Sequence, residues 1–177
     1  MVTYILAIVV AALLLGADQL TKIYIANNFV LGGESKELLN GIIDITYIHN
    51  DGAAWGMMNG HTWLLIAISA VVIIVCFALL LKYGLKDKLM FWAVVLVLSG
   101  GIGNLIDRIF RGGEVIDFLQ FAFWKEFPVF NVADCAVVAG AGLFILYFVI
   151  DIIKDLKNRY VYTKESPEQA EIKNEEN

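Results

Sequence analysis

Four long apolar runs separated by shorter polar stretches set the pattern of this chain. The first, from Val2 to Ala17, continues through Asp18-Gln19-Leu20-Thr21-Lys22 into Ile23-Tyr24-Ile25 at helical spacing and without a breaker. The second goes from about Thr62 to Leu81, the third from Leu89 through Ser99-Gly100-Gly101-Ile102-Gly103 to about Ile109, and the fourth from about Asn131 to Ile153. Each is close to the roughly 20 residues that cross a hydrocarbon core. Membrane helices are therefore expected at about 2–27, 62–81, 89–109 and 131–153. The first run lacks a basic leader and a small-x-small cleavage site, so it reads as a retained helix and not as a removable signal peptide.

The intervening segments are not plain linkers. Ile43-Asp44-Ile45-Thr46-Tyr47-Ile48 is rich in β-branched residues and bounded by Gly41 and Asn50-Asp51-Gly52, the pattern of a strand ending in a turn. Val115-Ile116-Asp117-Phe118-Leu119 offers a second strand beside it. The expected fold class is an all-α membrane protein, with four transmembrane helices and a small β-structured extracytoplasmic region. Residues 1–160 form one membrane domain with outer loops at about 28–61 and 110–130, and residues 161–177 form an acidic disordered tail. No internal repeat of the inverted-transporter kind is visible.

Basic residues give the orientation. Lys82, Lys86 and Lys88 lie between the second and third runs, and Lys154, Lys157 and Arg159 follow the fourth; the opposite loops carry Lys36, then Arg111 and Lys125. The excess marks the cytoplasmic side, which places both termini inside and the β-structured loops outside.

Composition agrees with a membrane protein: 59% of the 177 residues are hydrophobic and 18% are charged, against about half and about a quarter in soluble domains. The net charge of -5 reflects acids crowded after Thr163, and no nucleic-acid partner is expected. Cys76 and Cys135 lie in apolar surroundings without CxxC spacing, so neither a disulfide framework nor a zinc site is indicated, and Cys76 reads as plain helix surface.

Several polar residues stand where a bilayer disfavours them. Asp18 and Lys22 are four apart and share a helix face; Asn104, Asp107 and Arg108 share another near the outer end of the third run. Ionisable groups at such depth are costly unless paired or facing a wet cavity, which leaves two compatible readings: a functional site, or a buried network that locks the helices together. Ser99, Gly100 and Gly103, and Ala136 with Gly140, make small faces for close helix packing. Gly52-Ala53-Ala54-Trp55-Gly56 suits either a binding cleft or an aromatic anchor at the interface. His49 and His61 lack HExxH or any other metal-site spacing, and neither GxSxG nor a serine beside a base occurs, so no metal, cofactor or serine nucleophile is expected.

That leaves carboxylates. Asp117 lies in the polar stretch between the third and fourth runs, and Asp134 where the fourth begins, so both belong at one membrane face. Two carboxyl groups close together share a proton near neutral pH; one then activates water while the other donates to a scissile carbonyl. Asn131, one turn before Asp134, is placed to hold a carboxylate or a substrate amide. By spacing alone the plainer reading is preferred, with Asp117 as a loop acid and Asp134 as an acid favoured by a helix N-terminus.

With these residues in view, the chain resembles the prolipoprotein signal peptidases, also called signal peptidase II. Five blocks in the right order carry the resemblance: Asp18-Gln19-Leu20-Thr21-Lys22, Asn50-Asp51-Gly52-Ala53-Ala54-Trp55-Gly56, Gly103-Asn104-Leu105-Ile106-Asp107-Arg108, Val115-Ile116-Asp117-Phe118 and Phe130-Asn131-Val132-Ala133-Asp134. The resemblance implies an aspartic endopeptidase with Asp117 and Asp134 as its catalytic pair. It implies that Asn50, Asn104, Arg108 and Asn131 shape the substrate site, supported by Asp18, Lys22 and Asp107. The implied substrate is a diacylglyceryl-modified bacterial prolipoprotein, cut just before the lipidated cysteine at the outer face of the cytoplasmic membrane. Membrane lipid and globomycin-type cyclic peptide inhibitors are the other implied partners, and a monomer suffices because every site residue lies on one chain. Cys135 stands where the family often has a small hydroxyl residue. The competing classes are a small transporter or channel using the intramembrane ionisable groups, and a non-enzymatic scaffold.

Overall fold

A computed structural model describes residues 1–164. Helices α1 (Val2–Asn28), α2 (Thr62–Tyr83), α3 (Lys88–Phe110) and α4 (Val132–Lys164) each contain a stretch long and apolar enough to cross a membrane. Between them lie strands β1 (Lys36–Leu39), β2 (Ile43–Asn50) and β3 (Val115–Phe121), which form one antiparallel sheet in the order β1-β2-β3.

The bundle inverts the usual arrangement of a soluble core. Leu13, Ile74, Val138 and Ile145 are exposed, whereas Asp18, Lys22 and Asp107 are buried. Lipid is as apolar as leucine, so there is no gain in hiding aliphatic side chains from it; close packing and polar bonds hold the helices instead. Helix α3 is the centre and buries Phe91, Ala93, Val94, Val95, Ser99, Gly100 and Gly103. A Cβ on Gly100 would overlap the carbonyl of Ala133, and one on Gly140 would lie 2.8 Å from the carbonyl oxygen of Ala93. Helices α3 and α4 therefore touch backbone to backbone, and only glycine permits that approach.

The sheet sits where the outer ends of α1, α3 and α4 meet. Ile25 of α1 packs with Tyr47, Ile116 and Phe118 as a small hydrophobic core beneath it. Strand β3 is covered on both faces, since Val115, Ile116, Asp117 and Phe118 are all buried, which accounts for its nearly continuous apolar sequence. A bulge between Ile45 and Ile48 resets the register so that Ile48 opposes Asp117 and Asn50 opposes Val115. After β3 the chain returns on itself: Phe118 N and Leu119 N donate to Phe130 O, and Phe130 N donates back to Leu119 O. That bridge delivers Asn131 and the start of α4 to the side of Asp117.

Three local features differ from the expectations. Strand β1 carries no alternating pattern because all four of its residues are exposed; it forms by adding to the edge of β2 through a turn at Gly41, whose φ is 68°. Helix α4 continues to Lys164 instead of ending near 153, since no breaker follows and Arg159 pairs with Asp155 at 3.0 Å. Its last turn takes in the start of the segment expected to be an acidic tail, and residues 165–177 of that segment lie outside the described residues. Cys76 is buried, not on the helix surface.

Candidate active site

Helix α1 brings one cation to the centre of the polar network. Asp18 and Lys22 occupy successive turns, and Lys22 Nζ lies 2.9 Å from each of Asp18 Oδ2, Asp107 Oδ2 and Asn104 Oδ1. All three ammonium donors are used, as burial of a charge demands. Asp18 Oδ1 accepts from Ala133 N at 3.0 Å, tying α1 to the first turn of α4. Asp107 accepts from Gln19 Nε2 at 3.1 Å, from Arg111 Nε at 3.3 Å and from Ile116 N at 3.3 Å. One buried carboxylate thus fixes the residue immediately before Asp117.

Two asparagines pass this order on to Asp117 and Asp134. Asn104 accepts from Lys22 and, through Nδ2, donates to Asp134 Oδ1 at 2.7 Å. Asn131 Nδ2 donates to Asp117 Oδ1 at 2.6 Å and to Asn104 Oδ1 at 3.1 Å. Asn50, on the same sheet face as Asp117 and two pairs along, donates to Asp117 Oδ2 at 2.9 Å. Each oxygen of Asp117 and each oxygen of Asp134 thereby accepts a hydrogen bond.

Both carboxylates border a cavity of about 740 Å³, together with Asn50, Asn104 and Arg108. Most of the remaining wall is apolar and comes from Phe121, Phe127 and Phe130 on the side of the sheet and from Val137, Val138 and Ala139 along α4. Arg108 Nη2 donates to Gly52 O at 3.0 Å, while its buried Nε has no partner among the described residues. Arg108 therefore faces the cavity while its neighbour Asp107 faces α1, so the face expected for Asn104, Asp107 and Arg108 is divided between two tasks. Asn131 is fully buried between the two carboxylates.

Burial pushes the Asp117 carboxyl up to about 7, and the negative charge of Asp134 adds to the effect; the hydrogen bonds from Asn50 and Asn131 oppose it. A carboxyl that retains its proton near neutral pH, beside a second carboxylate and at the edge of an apolar cavity, can donate to a carbonyl while its neighbour accepts a proton from water. Such an arrangement has the groups that acid–base hydrolysis of an amide requires.

The histidines take other roles. His49 bonds to Tyr47 Oη at 2.8 Å and to Glu114 Oε2 at 2.6 Å, and His61 contacts Asn59 O at 3.1 Å. Gln19, which the sequence reading did not single out from its block, donates to Asp18, Gly103 O and Asp107 and so bolts α1 to α3. The aromatic wall was also unanticipated; its only signal is the density of Phe121, Phe123, Trp124, Phe127 and Phe130 in one loop.

A sequence model of the Signal peptidase (SPase) II family matches residues 10–150. The chain is 42% identical over 149 residues to the lipoprotein signal peptidase of Bacillus pumilus (strain SAFR-032), covering 84% of this chain and 92% of that protein. It is 39% identical over 160 residues to the lipoprotein signal peptidase of Halalkalibacterium halodurans, covering 90% and 99%. The fold is similar to a solved bacterial membrane enzyme with a TM-score of 0.77 at 32% sequence identity, over 82% of this chain and 88% of that one. The match spans the helices and the sheet and is not a chance likeness of apolar segments: the chain is a member of the signal peptidase II family of aspartic endopeptidases.

Proposed function

We propose that this chain removes the signal peptide from diacylglyceryl-modified prolipoproteins at the outer face of a bacterial cytoplasmic membrane, cutting just before the lipidated cysteine. Asp117 and Asp134 are the catalytic pair. Asp117 holds the proton at neutral pH and donates it to the scissile carbonyl oxygen, while Asp134 accepts a proton from the attacking water. Proton return to the leaving amine completes the reaction without a metal or a covalent intermediate. Asn50, Asn104 and Asn131 orient the carboxylates; Arg108 holds the Gly52 carbonyl at the cavity mouth; Asp18, Lys22 and Asp107 brace the helices behind them.

The observation that carries this reading is that both carboxylates open into one cavity whose remaining wall is mostly apolar and runs down α4. A lipid-bearing substrate can keep its acyl chains beside the bundle while the peptide lies across the carboxylates. Lys82, Lys86 and Lys88 lie at the end of the bundle away from the sheet, which supports cytoplasmic termini and an outward-facing site. One chain supplies every proposed residue, so the enzyme acts as a monomer, and cyclic peptides of the globomycin type compete for the same cavity.

The test is cleavage of a diacylglyceryl-modified prolipoprotein peptide by the purified chain in detergent, with Asp117→Asn and Asp134→Asn beside it. Loss of cleavage in both variants with substrate binding retained supports the pair; full activity in either removes that residue from the chemistry.

A further inference from the structure

A second cavity, of about 370 Å³, lies against the first. The two share Asn50, Ala53, Trp55, Phe127, Pro128 and Val129, and Trp55 meets Phe127 edge to face with centroids 5.8 Å apart. Because Asn50 also holds Asp117, the second cavity begins beside the catalytic carboxylate. Its chemistry is different. The first continues along α4 into the apolar bundle, whereas the second is built wholly from outer segments and is bordered by His49, Asp51, Asn59, Gln120, Lys125 and Glu126.

The charges there do not cancel. Lys125 is already engaged by Asp44 and Gln120, and His49 by Glu114 and Tyr47. Asp51 and Glu126 have no hydrogen-bond or ion-pair partner among the described residues, so the cavity carries an uncompensated negative field. The signal peptide before the scissile bond and the acyl chains on the cysteine after it both stay with the bilayer, so the polypeptide beyond that cysteine must leave toward water, and this cavity is the polar space adjoining the catalytic pair.

We infer that the second cavity is the subsite for the polypeptide that follows the scissile bond, and that Asp51 and Glu126 make it favour basic or uncharged polar side chains over acidic ones. This inference rests on the peptidase reading, and its test separates the two. Three diacylglyceryl-cysteine peptides, identical except for Lys, Ser or Glu at the two positions after the modified cysteine, are cleaved by the full chain in neutral detergent. At low salt the Lys peptide should exceed the Glu peptide in kcat/KM by about fivefold, the scale of two partly solvated charges, and salt should compress the ratio.

The double variant Asp51→Asn, Glu126→Gln should bring that ratio near one with little change for the Ser peptide, and Glu126→Lys should reverse it. Glu34→Gln, an exposed outer acid that does not border the cavity, should leave the ratio as in wild type. Equal cleavage of all three peptides by wild type, a ratio that survives in the double variant, or an equal effect of Glu34→Gln overturns the subsite and leaves the peptidase standing. No cleavage of any peptide overturns both.

Discussion

Asn131 and Asp134 cap each other: Asn131 Oδ1 accepts from Asp134 N at 2.9 Å, and Asp134 Oδ2 accepts from Asn131 N at 3.0 Å. The exchange is that of a capping box, with Asn and Asp in place of the usual Ser and Glu, directly before the first helical residue, Val132. A proposed catalytic carboxylate is therefore fixed by the helix it begins, and Asn131 has an amide nitrogen left over for Asp117 and Asn104. The two tasks separate by substitution. Asn131→Ser keeps a cap but cannot reach both neighbours, so kcat should fall by about 10- to 100-fold, the loss of the bond to the Asp117 carboxyl and of a neutral one to Asn104, while thermal stability stays near wild type. Asn131→Ala should lose a further amount of stability, about 1 kcal/mol. Melting in detergent beside single-turnover cleavage distinguishes them; equal activity of Asn131→Ser and wild type would remove Asn131 from the positioning of Asp117.

The pH dependence follows from Asp117. Its carboxyl is raised from an ordinary value of 3.8 to about 7, so the folded chain binds that proton more tightly than the unfolded one. The associated stability is fully present below about pH 4, and is lost as pH rises through about 7. Stability in detergent should therefore decline between these values, and Asp117→Asn should flatten the decline. Cleavage should fall on the alkaline side of about pH 7 as the donor proton leaves. Asn50 favours the ionised form of Asp117, so Asn50→Ala should carry the alkaline limb upward by about one unit. An alkaline limb that stays in place in Asn50→Ala would show that another group sets it.

The sequence is explicit about the bundle because a bilayer imposes a length and an apolarity on every spanning helix, and the four runs satisfy both. It also marks Asp18, Lys22 and Asp107, whose cost in a membrane makes them conspicuous. What it conceals is direction and closure. Asp107 and Arg108 are adjacent letters, yet one turns toward α1 and the other toward the cavity. Strand β1 leaves no periodic trace because nothing covers it. The bridge from Leu119 to Phe130, which sets Asn131 against Asp117, depends on a pairing across an aromatic loop that has no turn signature of its own. Gln19 looks like one more polar residue in its block, and only the helix packing shows that it serves three acceptors.

The brace behind the carboxylates should be intolerant of small changes. A Cβ on Gly103 would stand 2.8 Å from Asp18 Oδ2 and 3.1 Å from the Ala133 side chain. Gly103→Ala should displace Asp18 from Ala133 N, move the start of α4 and lower kcat more than it raises KM. Gly142, with nothing within 4 Å of its Cβ position, is the matched control and should tolerate alanine. Lys22→Met should be more severe, about 3–5 kcal/mol, because it removes the buried cation that Asp18 and Asp107 share and leaves Asp107 only the half-buried Arg111. Unfolding in detergent measures all three, and a Gly103→Ala protein as active as Gly142→Ala would show that the contact relaxes at no functional cost.

Cys135 gives direct access to the site. It is exposed, borders the large cavity and follows Asp134 in the first turns of α4, whereas Cys76 is buried on α2. A thiol reagent should therefore modify Cys135 ahead of Cys76 and block cleavage by filling the cavity beside the proposed catalytic pair. Cys135→Ser should cleave at close to the wild-type rate and resist inactivation, since the hydroxyl fits the same volume. Prior occupation by a cyclic peptide inhibitor should slow modification of the wild-type protein. If Cys135→Ser is inactivated as fast as wild type, the reagent acts elsewhere; if the inhibitor gives no protection, it does not occupy the space in front of Cys135.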